Sequence, residues 1–433
     1  FPASDQVRYR IQPRIIARMK QQQTFSNVGI CLLSLLVLLV VAASTAHARS
    51  TKSGFQVDSE DGRLSVPELV SKYGYHVEEH SLSTDDGYRL TIHRVQAASY
   101  TNGTVVLLMH GLLCSSADWL MIGPGNALAY LLANEGYDVW LGNARGNRYS
   151  RDHASINPDD DNSFWKFSWH EIGRYDIPAT IDYILEQTGH RRLQYVGHSQ
   201  GTTGFFVMAS TRPEYNDKII QMNALAPVAF MGHMKSPLLR FMTKFLKTLD
   251  ILLAVFGVGE FMPNKPILHE IAQLICPPNS TVHINMCAHL LFLLAGYNPS
   301  QLDPVMLPIL FGHTPAGSAT RQLVHYAQEV LSNRFEMYDY GKLKNVLIYG
   351  SATPPEYDLS RVTAPVVMYY GLNDFLATPE DVNRLARKLP NLKRSVAVND
   401  VLFNHLDFLI ASDVRHLLYE PVMEGMASAE VAD

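Results

Sequence analysis

One serine of the chain stands in a pattern that suits nucleophilic chemistry. Gly197, His198, Ser199, Gln200 and Gly201 form G-x-S-x-G, preceded by the apolar run LQYV and followed by the helix-like run TTGFFVMAS. A sharp turn from a strand into a helix raises a serine hydroxyl above the end of a parallel sheet and leaves no room for β-carbons at the two glycines. The pattern therefore predicts a nucleophilic serine, and the alternative is a turn with a structural role alone.

A serine of this kind needs an acid and a base. Its hydroxyl is a weak nucleophile until a histidine, oriented by a carboxylate, takes the proton. In this arrangement the acid and then the histidine come later in the chain, each after a further strand. Asp374 follows the apolar run APVVMYYG, and His405 follows the next predicted strand, within LFNHLDF. The sequence therefore predicts Ser199, Asp374 and His405 as a catalytic triad.

Other acids and histidines are placed less well for these roles. Asp358 precedes the strand APVVMYYG, and His416 lies inside the last predicted helix, away from the end of the sheet. Asp400 and Asp407 flank His405 in the chain. We expect Asp400 to cap this loop and Asp407 to support the histidine without touching the substrate.

Acyl transfer also needs hydrogen-bond donors for the oxyanion of the intermediate, and losing one donor typically costs about 3 to 4 kcal/mol. The backbone N–H of Gln200, directly after the serine, is predicted to be one donor. The loop HGLL follows the strand TVVLLM, and the N–H of Leu112 in this loop is predicted to be the other. A plain strand-to-helix turn is the alternative interpretation of HGLL, and a main-chain donor is compatible with both.

Strands and helices alternate around these residues. LTIHRV and TVVLLM are predicted as neighbouring strands, and a helix over 126–134 leads to the strand YDVWLG. A helix over 169–188, interrupted near Pro178, precedes the strand before Ser199, and the strand KIIQMNALAPVA comes after it. The strand APVVMYYG, the helix PEDVNRLARKL, the strand RSVAV and a helix over about 405–419 close the chain. This order predicts an α/β fold with a mostly parallel central sheet and helices on both faces.

The alternation stops over residues 230–349, where helix-like segments are broken by prolines. We interpret this stretch as an inserted helical cap or lid, which divides the α/β core into 49–229 and 350–433. Residues 237–256 place apolar side chains at helical spacing, which predicts a cap helix packed on the core or, alternatively, a helix at a lipid surface. The apolar run AHLLFLLAG adds surface that suits an acyl-chain tunnel beneath a mobile lid.

Residues 1–48 are predicted to be an extension followed by a secretory signal. An apolar run over 28–43 precedes Ala-His-Ala, which has the form of a cleavage site, so cleavage is predicted after Ala48. The alternative is a signal anchor through the same apolar run. A secretory route makes the sequons at Asn102 and Asn279 predicted glycosylation sites.

Three cysteines follow the predicted signal. Cys276 and Cys287 are close enough in sequence to close a short disulfide loop, which leaves Cys114 as a free thiol. In the alternative interpretation all three are small buried apolar residues.

Composition and motifs argue against other functions. The 36 Lys and Arg residues stand against 41 Asp and Glu residues, so no basic surplus indicates nucleic acid as a partner. Gly123-Pro124-Gly125 lacks the third glycine of a dinucleotide fingerprint, and His170 and His269, each followed by Glu, lack the second histidine of a zinc motif. We predict no metal, no nucleotide and no other cofactor.

Seven segments together resemble the acid lipase family of animals, which includes gastric and lysosomal acid lipases: LMHGLL, GNARGN, DNSFWKFSWHEIGRYDIPATIDYIL, YVGHSQGTT, HTPAGS, GLNDFLATPEDV and FNHLDF. The resemblance runs from Leu64 to Ile410. It implies an α/β-hydrolase core with a helical cap, and hydrolysis of neutral lipid esters, triacylglycerols or steryl esters, at a lipid–water interface. It also implies an extracellular or lysosomal location and a bridge between Cys276 and Cys287.

The resemblance further implies that Ser199, Asp374 and His405 form the triad and that Leu112 and Gln200 are the oxyanion donors. The chain departs from the family at two positions that do not touch the triad: Ala144 replaces a serine in GNARGN, and Ala295 stands where a third cap cysteine is often found.

Two other functions stay open at this stage. A carboxylesterase for small soluble esters is disfavoured by the large apolar cap. A non-catalytic lipid-binding protein is disfavoured because all three predicted triad residues are present.

Overall fold

The computed structural model describes residues 59–99, 103–243, 259–263 and 281–431. All of them fall within one compact unit, Ser50–Asp433. The predicted signal over 1–48, the two predicted glycosylation sites Asn102 and Asn279, and Cys276 lie outside the described residues.

The centre of the fold is a nine-stranded sheet, beside which lies a separate two-stranded sheet. The strands are β1 (His76–Ser83), β2 (Tyr88–Gln96), β3 (Val105–Met109), β4 (Asp138–Leu141), β5 (Asp152–His153), β6 (Leu193–His198), β7 (Ile219–Leu225), β8 (Glu260–Phe261), β9 (Ser318–Ala319), β10 (Val366–Tyr370) and β11 (Leu392–Ala397). The small sheet pairs β8 with β9.

The large sheet has the order β1-β2-β4-β3-β6-β7-β10-β11, and β5 pairs with β2. Neighbouring strands from β4 to β11 run parallel, whereas β1, β2 and β4 pair antiparallel. Every residue of β3 and of β6 is buried, which explains the continuous apolar sequence of β3; β6 also buries two polar side chains, Gln194 and His198. Since the parallel strands share one direction, β6, β10 and β11 end at the same edge of the sheet.

The prediction that LTIHRV and TVVLLM are neighbouring strands is wrong. These runs form β2 and β3, but β4 lies between them. The chain leaves β3, passes through a helix and returns as β4 parallel to β3, so that β4 occupies the position beside β2. The edge strand β1 was not predicted because its side chains are mostly exposed or half-buried and its sequence is polar.

Several helices contact the strands of the large sheet, and among the described residues five more lie between β7 and β10. They are α1 (Val66–Lys72), α2 (Leu128–Asn134), α3 (Ile177–Thr188), α4 (Gln200–Thr211), α5 (Pro237–Thr243), α6 (Thr281–Ala295), α7 (Met306–His313), α8 (Thr320–Ser332), α9 (Lys342–Tyr349), α10 (Pro379–Ala386), α11 (Asp407–Ile410) and α12 (Glu420–Val431). Short 3₁₀ helices cover Ser59–Arg63, Ser116–Trp119, Asn162–Trp165, Pro213–Lys218 and Leu359–Arg361. In the part of the chain that the structure describes, no helix is both long and apolar enough to cross a membrane.

The helix predicted over 169–188, with an interruption near Pro178, has its irregular part just before that proline. A helical turn at Trp169–Glu171 passes into a π-helical segment, Ile172–Asp176, and α3 continues from there. Pro178 occupies the first turn of α3, where its missing N–H is tolerated.

The last predicted helix, over about 405–419, is wrong in its bounds. His405 precedes α11, which ends at Ile410, and a π-helical segment at Arg415–Tyr419 then leads into α12. The break follows from contacts that are distant in sequence. Ala411 adopts an extended conformation, and Gln301 accepts hydrogen bonds from the next two backbone N–H groups.

Residues 230–349 carry α5 to α9 and the short strands β8 and β9. Of the helix predicted over 237–256, the described part is α5, Pro237–Thr243, and residues 244–256 lie outside the description. The apolar run AHLLFLLAG forms the end of α6 and the residue that follows it.

Candidate active site

Ser199 lies in the sharp turn between β6 and α4. Its backbone has φ 51° and ψ −116°, a conformation that a residue with a β-carbon rarely adopts and that is characteristic of strained functional sites. A β-carbon on Gly201 would lie 2.2 Å from the carbonyl oxygen of Met109, and one on Gly197 would lie 2.8 Å from the carbonyl carbon of Gly201. Both glycines are therefore required by the close approach of backbone to backbone.

The side chains of Ser199, His405 and Asp374 form one hydrogen-bonded chain. The Nε2 atom of His405 lies 2.8 Å from Ser199 Oγ, and its Nδ1 atom lies 2.8 Å from Asp374 Oδ2. The other carboxylate oxygen of Asp374 accepts the backbone N–H groups of Leu376 and Ala377, each at 2.8 Å. This geometry places the proton of the imidazole on Nδ1 and leaves Nε2 free to accept the serine proton.

The competing acids and histidines lie elsewhere or take other contacts. Asp358 caps a 3₁₀ helix by accepting the N–H of Ser360, and His416 is exposed and contacts Glu420. Asp400 Oδ1 accepts the N–H of Leu402 in the loop before His405. Asp407 is buried beside the same loop, and burial raises its pKa to about 7.

His198 supports His405 from behind. Its Nε2–H donates to the carbonyl oxygen of His405 at 3.1 Å, and the two rings lie 5.0 Å apart. Burial lowers the pKa of His198 well below its ordinary value, so the ring is neutral when it makes this contact. The sequence placed His198 in the turn but gave no signal of this second contact.

The two predicted oxyanion donors belong to segments that meet at the serine. Gln200 is the first residue of α4, so its N–H belongs to a helix N-terminus, where anionic groups are stabilised. Leu112 follows Gly111, where a β-carbon would lie 3.3 Å from Ser199 Cβ. Leu113 has φ 63°, a strained value for leucine. Within the described residues, neither the backbone N–H of Gln200 nor that of Leu112 donates a hydrogen bond to another protein group.

His110 fixes the orientation of the Leu112 amide. Its Nδ1 lies 2.7 Å from the carbonyl oxygen of Gly111, and its Nε2 accepts the N–H of Ala144 at 3.0 Å. Burial lowers the pKa of His110 to about 4, so the neutral ring donates from Nδ1 and accepts at Nε2. Because the Gly111 carbonyl and the Leu112 N–H belong to one planar peptide unit, holding the carbonyl also sets the direction of the N–H.

The loop GNARGN is anchored by Arg145, a buried cation that the sequence did not single out. Its Nε and its backbone N–H donate to the two carboxylate oxygens of Asp176, at 2.7 and 2.9 Å. Its two terminal nitrogens donate to Asp86 in the turn between β1 and β2. A charge this deeply buried is tolerated because both carboxylates pair with it, and the loop that holds His110 is thereby fixed to the core.

One helix of the 230–349 segment packs directly on the helix of the nucleophile. Gln322 of α8 accepts a hydrogen bond from the side chain of Gln200 at 2.7 Å, and the Tyr326 hydroxyl donates to Thr203 Oγ1 at 3.0 Å. These long-range contacts have no sequence signal.

The cysteines differ in state. Cys287 of α6 is disulfide-bonded, and its predicted partner Cys276 lies outside the described residues. Cys114 is a free thiol whose pKa is raised by burial and by the nearby Asp118. Over the described ranges, no group of three or more His, Cys, Asp or Glu side chains is arranged to hold a metal ion.

The sheet order and the turn at Ser199 are those of an α/β-hydrolase. Residues 104–409 match the family described as "alpha/beta hydrolase fold", and residues 66–123 match the "partial alpha/beta-hydrolase lipase region". Lipase 3 of Drosophila melanogaster is 44% identical over 367 residues, which cover 84% of this chain and 93% of that protein. Gastric triacylglycerol lipase of Mus musculus is 37% identical over 402 residues, covering 91% and 99% of the two chains.

The chain therefore belongs to the lipase family of the α/β-hydrolases, together with these relatives, and it is a carboxylic ester hydrolase. A solved structure of a protein from Sulfolobus solfataricus is 13% identical and gives a TM-score of 0.54 over 81% of this chain and 94% of that chain, which shows the fold alone. The predicted fold class and family are confirmed.

Proposed function

We propose that the chain hydrolyses neutral lipid esters, triacylglycerols or steryl esters, through an acyl-enzyme on Ser199. The observation that carries this proposal is the hydrogen-bonded chain from Ser199 Oγ through His405 to Asp374, with both links at 2.8 Å. A nucleophile, a base and a group that orients the base are thus in contact at the end of the sheet.

In the first half of the reaction, Ser199 Oγ attacks the ester carbonyl carbon while His405 Nε2 takes the hydroxyl proton. The buried carboxylate of Asp374 stabilises the imidazolium that forms. The carbonyl oxygen becomes an oxyanion, which accepts hydrogen bonds from the N–H groups of Gln200 and Leu112. When the tetrahedral intermediate collapses, the ester C–O bond breaks and the alcohol leaves with the proton from His405.

In the second half, water attacks the acyl-enzyme while His405 Nε2 takes a proton from the water. The new oxyanion uses the same two backbone donors. Collapse breaks the bond between the acyl carbon and Ser199 Oγ, and His405 returns its proton to the serine. The products are a fatty acid and an alcohol, and the enzyme is regenerated.

A long apolar substrate is supported by two observations. The chain is 37% identical to a protein named gastric triacylglycerol lipase. The 230–349 segment, which we propose is a cap between core parts 49–229 and 350–433, contributes the strongly apolar helices α6 and α7. Apolar walls of this kind suit a fatty acyl chain, whereas small soluble esters do not need them. The intact hydrogen-bonded chain disfavours a non-catalytic lipid-binding role.

We further propose that the protein enters the secretory pathway, with an extracellular or lysosomal destination. Gastric lipases among the relatives support this location. Cleavage after Ala48, glycosylation at Asn102 and Asn279, and a bridge from Cys276 to Cys287 belong to the same proposal. The bridge is supported because Cys287 is disulfide-bonded and Cys114 is free.

The test is hydrolysis of emulsified long-chain triacylglycerol, emulsified cholesteryl ester and a short soluble ester by the purified protein, over about pH 4 to 8. We expect release of long-chain fatty acid, and a fall of at least about 10⁴-fold in kcat for Ser199→Ala. Unchanged hydrolysis by Ser199→Ala would contradict the mechanism. Turnover of the soluble ester alone would favour the carboxylesterase alternative.

A further inference from the structure

The segment that follows α6 touches both loops of the proposed acid and base. The carbonyl oxygen of Ala295, the last residue of α6, accepts the backbone N–H of Phe375 at 3.1 Å and that of His405 at 3.4 Å. Phe375 directly follows Asp374 in the chain. We call the loop after β10 that carries Asp374 the acid loop, and the loop after β11 that carries His405 the base loop. One carbonyl group outside the α/β core is thus hydrogen-bonded to both loops.

The next residue, Gly296, fits between the same two loops. It has φ 121°, a conformation that favours glycine. A β-carbon at this position would lie 2.1 Å from the carbonyl oxygen of Asn373 and 2.9 Å from Asn404 Cβ. Asn373 precedes Asp374, and Asn404 precedes His405. The space between the two loops at Gly296 therefore cannot hold even one additional carbon atom without a shift of the backbone.

Asn298 closes the base loop from the same segment. It is fully buried, and its Nδ2 donates to Asp407 Oδ2 at 2.8 Å and to Asp400 Oδ2 at 3.1 Å. The Ser300 hydroxyl donates to Asn298 Oδ1, which fixes which end of the amide faces the carboxylates. Asp400 and Asp407 stand on either side of His405 in the chain, so one amide joins the two ends of the loop.

The base loop is also bonded within itself. Asp407 Oδ2 accepts the N–H of Asn404, and Asn404 Oδ1 accepts the N–H groups of Leu406 and Asp407. These bonds make the loop a small rigid unit, and Asn298 binds that unit to the segment after α6. Moving the segment therefore moves His405 with it.

We propose that Ala295, Gly296 and Asn298, here called the loop clamp, are positioning residues that hold the acid loop and the base loop in register. The loop clamp rests on the proposed function, since the register matters only if Asp374 and His405 act together. Asp374 and His405 follow different strands, β10 and β11, and their hydrogen bond depends on the relative position of two irregular loops. A displacement of about 1 Å at such a contact can lower turnover by about 100-fold.

The charges around Asn298 provide a specific test. The groups that face its amide are the carboxylates of Asp400 and Asp407, with Asp374 and the His405 ring on the adjoining loops and His198 behind His405. In wild type the amide N–H lies between the carboxyl groups of Asp400 and Asp407. Asn298→Asp keeps the shape of the side chain, removes the donor and adds a third carboxyl group. Protonation of one of the three carboxyls restores a donor between the others.

We expect Asn298→Asp to lower kcat on a soluble p-nitrophenyl ester by about 10- to 100-fold at pH 8, with a small change in KM. The ratio of mutant to wild-type kcat should rise as the pH falls from about 8 to 5, because a shared proton repairs the contact. A loss of stability alone changes neither the kcat of the folded protein nor its pH profile in this way.

Gln301→Ala is the matched control. Gln301 lies in the same segment, but its side chain accepts the backbone N–H of Asp413, beyond α11, and its main-chain carbonyl, which alanine keeps, accepts that of Ser412. We expect a lowered melting temperature, kcat within about twofold of wild type and an unchanged pH profile. Gly296→Ala is a second test variant that adds no charge, and its kcat deficit should be independent of pH.

Wild-type kcat and pH profile in both Asn298→Asp and Gly296→Ala would overturn the loop clamp while leaving the proposed function intact. An equal deficit in Gln301→Ala would also overturn it, because the effect would then be general to the segment. If Asn298→Asp or Gly296→Ala fails to fold, Ser300→Ala, which removes the hydroxyl that orients the Asn298 amide, decides the question by the same kcat measurement. Absence of hydrolysis by wild type contradicts the proposed function instead.

Discussion

The serine and its two partners are held in place by different means. Ser199 sits in a turn whose strained backbone and two required glycines lie within five residues of sequence, packed against the end of β3. Asp374 and His405 sit on loops whose geometry is set by residues far away in the chain, at 295–298. The nucleophile is thus positioned by local backbone structure, and the acid and base are positioned by tertiary contacts.

This difference explains why the sequence pattern is clear at the turn of the nucleophile and weak at the loops of the acid and the base. A local backbone requirement leaves a fixed spacing of glycine and serine in the sequence. A tertiary requirement leaves single residues, such as Asn298, whose role depends on which segments meet in space. It also implies that the two parts should respond differently to substitution. Changes in the turn should affect folding and activity together, and changes in the loop clamp, whatever their cost in stability, should lower the kcat of the folded protein.

Gly201→Ala, a change in the turn at the nucleophile, is expected to have the largest effect on stability and hydrolysis. Its β-carbon would lie 2.2 Å from the carbonyl oxygen of Met109 in β3, and two backbone segments cannot separate without disturbing the sheet. We expect a loss of about 3 kcal/mol in the free energy of unfolding, measured by urea denaturation, together with loss of hydrolysis.

Gly189→Ala is the control for this change. Gly189 follows α3 with φ 71° and has open space at its β-position, so only the left-handed backbone is penalised, by about 1 to 2 kcal/mol. Hydrolysis by the folded protein should be unchanged. If Gly201→Ala were as stable as wild type, the turn would not depend on its glycines. The proposed difference between the turn and the two loops would then be wrong.

His110→Ala should have an intermediate effect. The substitution leaves the Gly111 carbonyl and the Ala144 N–H without their partners, so that the Leu112 N–H loses its fixed direction. We expect kcat to fall by about 10-fold or more with little change in KM, since an oxyanion donor acts in the transition state.

His93→Ala is the matched variant for His110→Ala. His93 is equally buried and bonds to Ser116 Oγ through Nδ1, and burial lowers its pKa to about 4 as well. His93→Ala should lower the free energy of unfolding about as much as His110→Ala does, while leaving kcat near that of wild type. A similar loss of kcat in both variants would show that disruption of the buried interior, rather than the direction of one amide, limits turnover.

The fold class and the three central residues were accessible from the sequence because periodicity and strand ends are local properties. The order of β2, β4 and β3 was not, because pairing is decided by how a crossover returns to the sheet. The break after α11 was missed for a related reason, since Gln301 ends the helix from a distance. His110 lies in a predicted loop, but its role follows from Ala144, a backbone donor with no side-chain signal.

The remaining prediction concerns Asp407 and the pH dependence of stability. Burial raises the pKa of this carboxyl from its ordinary value of 3.8 to about 7 in the folded protein. The stability that comes from keeping the proton is present below the unfolded pKa and is lost as pH rises from about 4 through about 7, because the unfolded chain releases the proton first. Asp407→Asn keeps an oxygen acceptor for Asn298 and Asn404 but cannot titrate. Relative to wild type, the variant should therefore gain stability as pH rises through this window.

Urea denaturation of both proteins at several pH values checks this prediction. Burial lowers the pKa values of His93 and His110 to about 4, so these groups reduce stability as pH falls below their unfolded pKa; they are present in both proteins and cancel in the difference. A difference in unfolding free energy that stays constant from pH 4 to about 8 would mean that Asp407 is ionised throughout. The Asn298 amide would then hold two full negative charges beside His405, and the pH-dependent recovery expected for Asn298→Asp would have to come from the introduced carboxyl group.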